Sequence, residues 1–134
     1  MVIDDDSTIR TALQTALGRQ YEVVSLPNGD EIIQEIESYK PKLLLLDINM
    51  PGSDGFEICR EIRAEAKSRN LPILLMTVRK DNRSFLRSLE AGGDSYITKP
   101  FETPALKERI EYLLKSYRAS SDRGPACGGG QNDE

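Results

Sequence analysis

The chain reads as an α/β domain, a doubly wound parallel sheet with helices on both faces. Three observations predict this. Short apolar runs alternate with segments of helical period, and such alternation implies parallel strands joined by crossover helices. One run, Leu43-Leu44-Leu45-Leu46, is unbroken and stops on Asp47, as suits a strand buried on both faces. Right-handed crossovers bring all strand C-termini to one edge. There the chain turns polar, with Asp4, Asp5, Asp6, Asp47, Thr77 and Lys99.

Met1-Val2-Ile3 is a stub beside the usual strand of about five or six residues. The chain is therefore expected to begin inside its first strand. Ser7 is the expected N-cap of a helix whose stripe is Ile9, Ala12, Leu13, Ala16 and Leu17, closed by Gly18. Tyr21 to Leu26 reads as the second strand. After the Pro27-Asn28-Gly29 loop, Asn28 or Asp30 is expected to cap a helix carrying Ile32, Ile33 and Ile36. Pro41 restarts the chain into the leucine strand.

Pro51-Gly52-Ser53-Asp54-Gly55 turns the chain into a third helix, with Phe56, Cys59, Ile62 and Ala66 on one face. Leu71-Pro72 opens a strand, Ile73 to Met76, which ends on Thr77. Polar loop from Val78 to Arg83 precedes a helix with Phe85, Leu86 and Leu89, stopped by Gly92-Gly93. Tyr96-Ile97-Thr98 is a short strand ending on Lys99, closed by Pro100. Thr103-Pro104 then opens the last helix, striped by Leu106, Ile110, Leu113, Leu114 and Tyr117. Residues 1–118 form one domain in this reading, and 119–134 a disordered tail or linker.

Composition excludes several function classes. The 134 residues carry a net charge of −4 with acids scattered along the chain, so there is no basic footprint for nucleic acid. No apolar run approaches a membrane span, and no signal-peptide core is visible at the N-terminus, so the expected compartment is the cytoplasm. With no His, and with Cys59 and Cys127 unpaired in pattern, zinc or thiol–imidazole chemistry is not expected. Cys59 falls on the apolar stripe of its helix and reads as core.

The polar sheet edge has a more specific chemistry. Each residue alone has a plain explanation: strand-end acids cap turns, Thr77 ends a strand, and Lys99 is surface charge. Together they fit that account poorly, because clustered carboxylates repel one another and call for a cation. Oxygen ligands without His or Cys suit a hard ion, and a site with open water positions suits Mg²⁺ better than Ca²⁺. Carboxylate, cation, lysine and hydroxyl make up the parts needed for phosphoryl transfer.

The sequence resembles the receiver domains of two-component response regulators over about residues 1–118. The resemblance rests on Val2-Ile3-Asp4-Asp5, on Leu46-Asp47-Ile48-Asn49-Met50-Pro51-Gly52-Ser53-Asp54-Gly55, on Thr77, and on Tyr96-Ile97-Thr98-Lys99-Pro100-Phe101. It implies a flavodoxin-like sheet in the order 2-1-3-4-5 with five helices. By resemblance Asp47 is the phosphoacceptor; Asp5 holds Mg²⁺ directly, Asp4 through a water, and Asn49 by its backbone carbonyl. Thr77 would bond the phosphoryl group, Lys99 would pair with it, and Tyr96 would be the switch aromatic. The implied partners are a sensor histidine kinase or a histidine phosphotransfer protein. A homodimer could form through the helix from Asn82 to Ala91, the Tyr96 strand and the last helix. No direct nucleic-acid or membrane contact is implied, and no enzyme activity beyond self-catalysed phosphorylation and dephosphorylation. Val78 stands where the family favours a smaller residue, and Asn49 and Arg79 stand where the family tunes acyl-phosphate lifetime.

Two other readings compete. Asp4-Asp5-Asp6-Ser7-Thr8 also fits Asp-x-Asp-x-Thr, the nucleophile motif of haloacid-dehalogenase-like phosphatases, with Asp4 as nucleophile and Asp6 as general acid. That family needs an acidic motif after its lysine, and only Glu102 and Glu108 follow Lys99 nearby, on no apolar strand. The third reading is a degenerate receiver that only binds, and the full set of site residues argues against it.

Overall fold

The computed structural model describes residues 1–52, 54–66, 68–78 and 82–122. Ser53, Arg79 and residues 123–134 lie outside the described residues, as does the Phe85 side chain. Five strands and five helices alternate: β1 Val2–Ile3, α1 Ser7–Leu17, β2 Ser25–Leu26, α2 Ile32–Tyr39, β3 Leu44–Asp47, α3 Gly55–Ala64, β4 Ile73–Thr77, α4 Asn82–Ala91, β5 Ser95–Thr98 and α5 Thr103–Asp122. All strand pairs are parallel, as the alternation of elements predicts, and the order is β2-β1-β3-β4-β5, as the family resemblance implies.

The leucine run is continuous because its two sets of side chains enter two cores. Leu44 and Leu46 pack with Ile3, Ile73 and Leu75 under Ile32 and Ile36 of α2 and Phe56, Cys59 and Ile62 of α3. Leu43 and Leu45 point the other way, with Val2, Leu74, Met76 and Ile97, toward Leu13 and Leu17 of α1 and Leu106, Ile110 and Leu113 of α5. Each such buried side chain stabilises the fold by roughly 1.5–3 kcal/mol. Among the described residues, no helix is long and apolar enough to cross a membrane.

Several local expectations change. Asp6, not Ser7, caps α1, its Oδ1 accepting the Thr8 N–H at 2.9 Å. Neither Asn28 nor Asp30 caps α2: Asn28 Oδ1 accepts the Asp30 N–H instead, and Glu31 enters the helix in a left-handed conformation. The second strand shrinks to Ser25–Leu26, since β1 offers partners only from its first residues onward. Ala66 lies beyond the end of α3. Leu86 and Leu89 of α4 are 56% and 50% exposed. The helix turns its Arg87 edge to α3, with the guanidinium 4.3 Å above the Phe56 ring and 3.8 Å from Asp54. Finally, α5 continues to Asp122, because neither Gly nor Pro interrupts it before Gly124-Pro125.

Candidate functional site

The polar edge of the sheet is assembled by strand ends and the loops that follow them. Asp47 closes β3 beside Met76, and Thr77 closes β4 beside Thr98. The Lys99 N–H donates to the Thr77 carbonyl at 2.7 Å, which carries the lysine to the same edge. Asp4 follows β1 directly, and its N–H donates to the Leu26 carbonyl at 3.1 Å. The turn after β3 places Gly52 at φ +75°, a conformation glycine adopts without strain. Gly55 lies so close to Ile48 that a Cβ would sit 2.4 Å from its Cα, so only glycine lets α3 start against this loop.

The side chains are tightly bonded. Asp4 is fully buried: Oδ1 accepts the Asp6 N–H at 3.0 Å, and Oδ2 accepts Lys99 Nζ at 2.8 Å. Asp47 is 2% exposed, with Oδ1 accepting the Asn49 N–H at 3.0 Å and Oδ2 lying 3.4 Å from Lys99 Nζ. One lysine thus bridges two buried carboxylates. Burial is the main force pushing the Asp47 carboxyl above its ordinary range. The Asn49 N–H opposes that rise, the Asp4 charge adds to it, and Lys99 counters it.

Asp5 is exposed, and one carboxylate oxygen from each of Asp4, Asp5 and Asp47 lies within 4.8 Å of the others. Three oxygen donors, one open to solvent, fit a hard divalent cation with water on its remaining positions. Tyr96 is half-buried against the α2–α3 side of the sheet. Every residue predicted from sequence for the site therefore lies on the C-terminal edge except Tyr96, which sits within β5 behind it. Arg79 lies outside the described residues.

Two contacts had no sequence signal. Arg10 of α1 donates to the Asp4 carbonyl at 2.6 Å, and the Asn49 side chain reaches the Val78 N–H at 3.0 Å. Asp6 is occupied as a helix cap, which leaves it unsuited to the general-acid role of the phosphatase reading.

The response regulator receiver domain family model matches residues 1–111. The chain belongs to this family. It is 39% identical over 124 residues to the transcriptional regulatory protein AfsQ1 of Streptomyces coelicolor, covering 91% of this chain and 54% of that one. It is 34% identical to the alkaline phosphatase synthesis transcriptional regulatory protein PhoP of Bacillus subtilis, covering 86% and 48%. The chain spans about half the length of these curated relatives. Among solved structures, a putative response regulator from Chloroflexus aurantiacus superposes with a TM-score of 0.79 at 35% identity, covering 85% of this chain and 94% of that one. The receiver's role is that of a phosphoacceptor in two-component signalling, and its family is not one of enzymes.

Proposed function

We propose that Asp47 is the phosphoacceptor of this receiver. One observation carries the reading: a buried carboxylate at the end of β3, held between Asp4 and Lys99 on the edge that also carries Thr77. One carboxylate oxygen of Asp47 attacks phosphorus as the donor's leaving group departs, forming an acyl phosphate. Lys99 neutralises the charge gathered on the transferring group, and the Thr77 hydroxyl bonds one of its oxygens. Asp4, Asp5, Asp47 and the Asn49 backbone carbonyl would hold Mg²⁺, which supplies further positive charge at those oxygens.

The donor is a histidine kinase or a histidine phosphotransfer protein of the same cytoplasmic system. The added charge draws Thr77 toward the phosphoryl group and lets Tyr96 turn inward. The readout surface is α4, β5 and α5, used for a partner or a second copy of the chain. The exposed Leu86, Leu89 and Tyr112 support that assignment. The segment after α5 serves as a linker or tail. Self-catalysed gain and loss of the phosphoryl group is the only chemistry proposed.

Intact mass after incubation with acetyl phosphate tests the reading, with and without Mg²⁺. The expected result is a Mg²⁺-dependent gain of one phosphoryl group that Asp47→Asn abolishes. A folded wild type that gains nothing would leave a module that only binds.

A further inference from the structure

Asn49 ties together the two loops that flank Asp47. Its backbone N–H holds Asp47 Oδ1, and its side-chain Oδ1 accepts the Val78 N–H, each at 3.0 Å. The second bond stands where the ladder between β3 and β4 runs out. The Ile48 N–H still donates to the Met76 carbonyl at 3.0 Å. One step further, a parallel ladder would send the Val78 N–H to the main chain of the neighbouring strand. There β3 is already turning toward Pro51-Gly52, and a side-chain amide oxygen supplies the acceptor. The Val78 side chain is 60% exposed, so packing does little to hold this end of β4.

The Val78 amide is the first main-chain donor after Thr77, and it is bonded to the residue whose own N–H holds Asp47 Oδ1. A phosphoryl group on Asp47 would bring acceptor oxygens carrying about 1.5–2 negative charges. Hydrogen bonds to ionised acceptors are roughly twice as strong as those to neutral ones, so such a group outcompetes an amide oxygen for the same N–H. We propose that the Asn49 side chain is a displaceable latch. It holds the Val78 N–H while Asp47 is unmodified and yields it to the phosphoryl group, which releases the C-terminal end of β4 from the turn after β3. The proposal rests on Asp47 as acceptor and makes Asn49 a positioning residue that acts through the Val78 amide. It restrains loading of the site, since breaking the latch is part of the cost of forming the acyl phosphate.

The test follows Val78 amide exchange by NMR and phosphoryl uptake from acetyl phosphate with Mg²⁺ by intact mass. Wild-type, Asn49→Ala and Asn49→Asp chains are compared, with thermal melting to establish folding. Removing the side-chain acceptor should speed Val78 exchange roughly three- to tenfold, the size of one exposed neutral hydrogen bond. Uptake should quicken by about twofold or more. Asn49→Asp keeps an oxygen at the same reach and should keep Val78 protected. Equal Val78 exchange in wild type and Asn49→Ala would overturn the latch. So would faster exchange spread over the whole sheet, or uptake no faster than wild type in a folded Asn49→Ala chain. If the wild type takes up nothing, the acceptor reading fails and the latch's role with it. Uptake by wild type with unchanged Asn49→Ala behaviour fails the latch alone.

Discussion

At the C-terminal end of the strands, Asp4 and Asp47 share one lysine, and a third carboxylate, Asp5, stands open to solvent beside them. At the N-terminal end the polar groups are matched instead. Arg63 of α3 donates to the Gly92, Arg69 and Leu71 carbonyls and to Asp94 Oδ2. Asp94 also accepts the Ile73 N–H at 2.7 Å and the Tyr117 hydroxyl at 2.6 Å. Burial, then the bond to Asp94 and its charge, push the Tyr117 hydroxyl well above the usual phenol range. This closed network joins α3, the starts of β4 and β5, and α5. The comparison separates two uses of buried charge. A matched network locks elements together, whereas a cluster with more carboxylates than cations among the described residues is held ready for a ligand that supplies positive charge.

The largest expected effect is therefore at the N-terminal end of the strands. Arg63→Ala leaves three carbonyls and the Asp94 carboxylate short of a donor, with the two side chains only 18% and 22% exposed. It should cost about 3 kcal/mol in urea unfolding. Folded Arg63→Ala protein should still take up one phosphoryl group. A loss below about 1 kcal/mol would mean that the network is dispensable.

The next effect lies at the start of β1. The Met1 amine donates to the Leu43 carbonyl at 3.0 Å, beside a cavity of about 480 Å³ lined by Leu17, Tyr21, Val23, Leu45, Ile110 and Leu114. Burial lowers its pKa from 8.0 to about 6. Between those values the unfolded chain binds more protons, so stability should rise as pH climbs from 6 to 8 and level off above. The rise should be about 2 kcal/mol. Acetylating the amine should flatten this part of the profile. A slope that survives acetylation would belong to other groups.

How legible each end is in the sequence follows from the range of its contacts. The C-terminal edge is marked in the chain itself, because the ends of β1, β3, β4 and β5 turn from apolar to polar at Asp4, Asp47, Thr77 and Lys99. The two cores are equally legible in the unbroken leucine run. The N-terminal network left no such mark: Arg63 reads as one charge among several on the outer side of α3, and Asp94 as a turn residue after Gly92-Gly93. Only the register of β4 and β5 brings them together. The exposure of Leu86 and Leu89 could not be read from the chain for a related reason. A 3.6-residue stripe shows that a helix has an apolar side, not whether this chain covers it.

The smallest effect tests the acid-rich end directly. Asp47→Asn removes a buried carboxylate whose pKa is raised mainly by burial, yet keeps an oxygen for the Asn49 N–H and leaves Lys99 to Asp4. Without Mg²⁺ at neutral pH, the D47N chain should be more stable than wild type, read as a higher Tm. A carboxyl with a raised folded pKa weakens the fold only where the unfolded chain has lost the proton. The gain should therefore fade as pH drops through the raised value toward the ordinary 3.8, and vanish below it. Added Mg²⁺ should narrow the gap by stabilising the wild type more than the D47N chain. Thermal melts in EDTA and in Mg²⁺ decide the matter. A D47N chain less stable than wild type in EDTA would mean that Lys99 and the Asn49 amide already satisfy Asp47, leaving the two ends of the sheet alike.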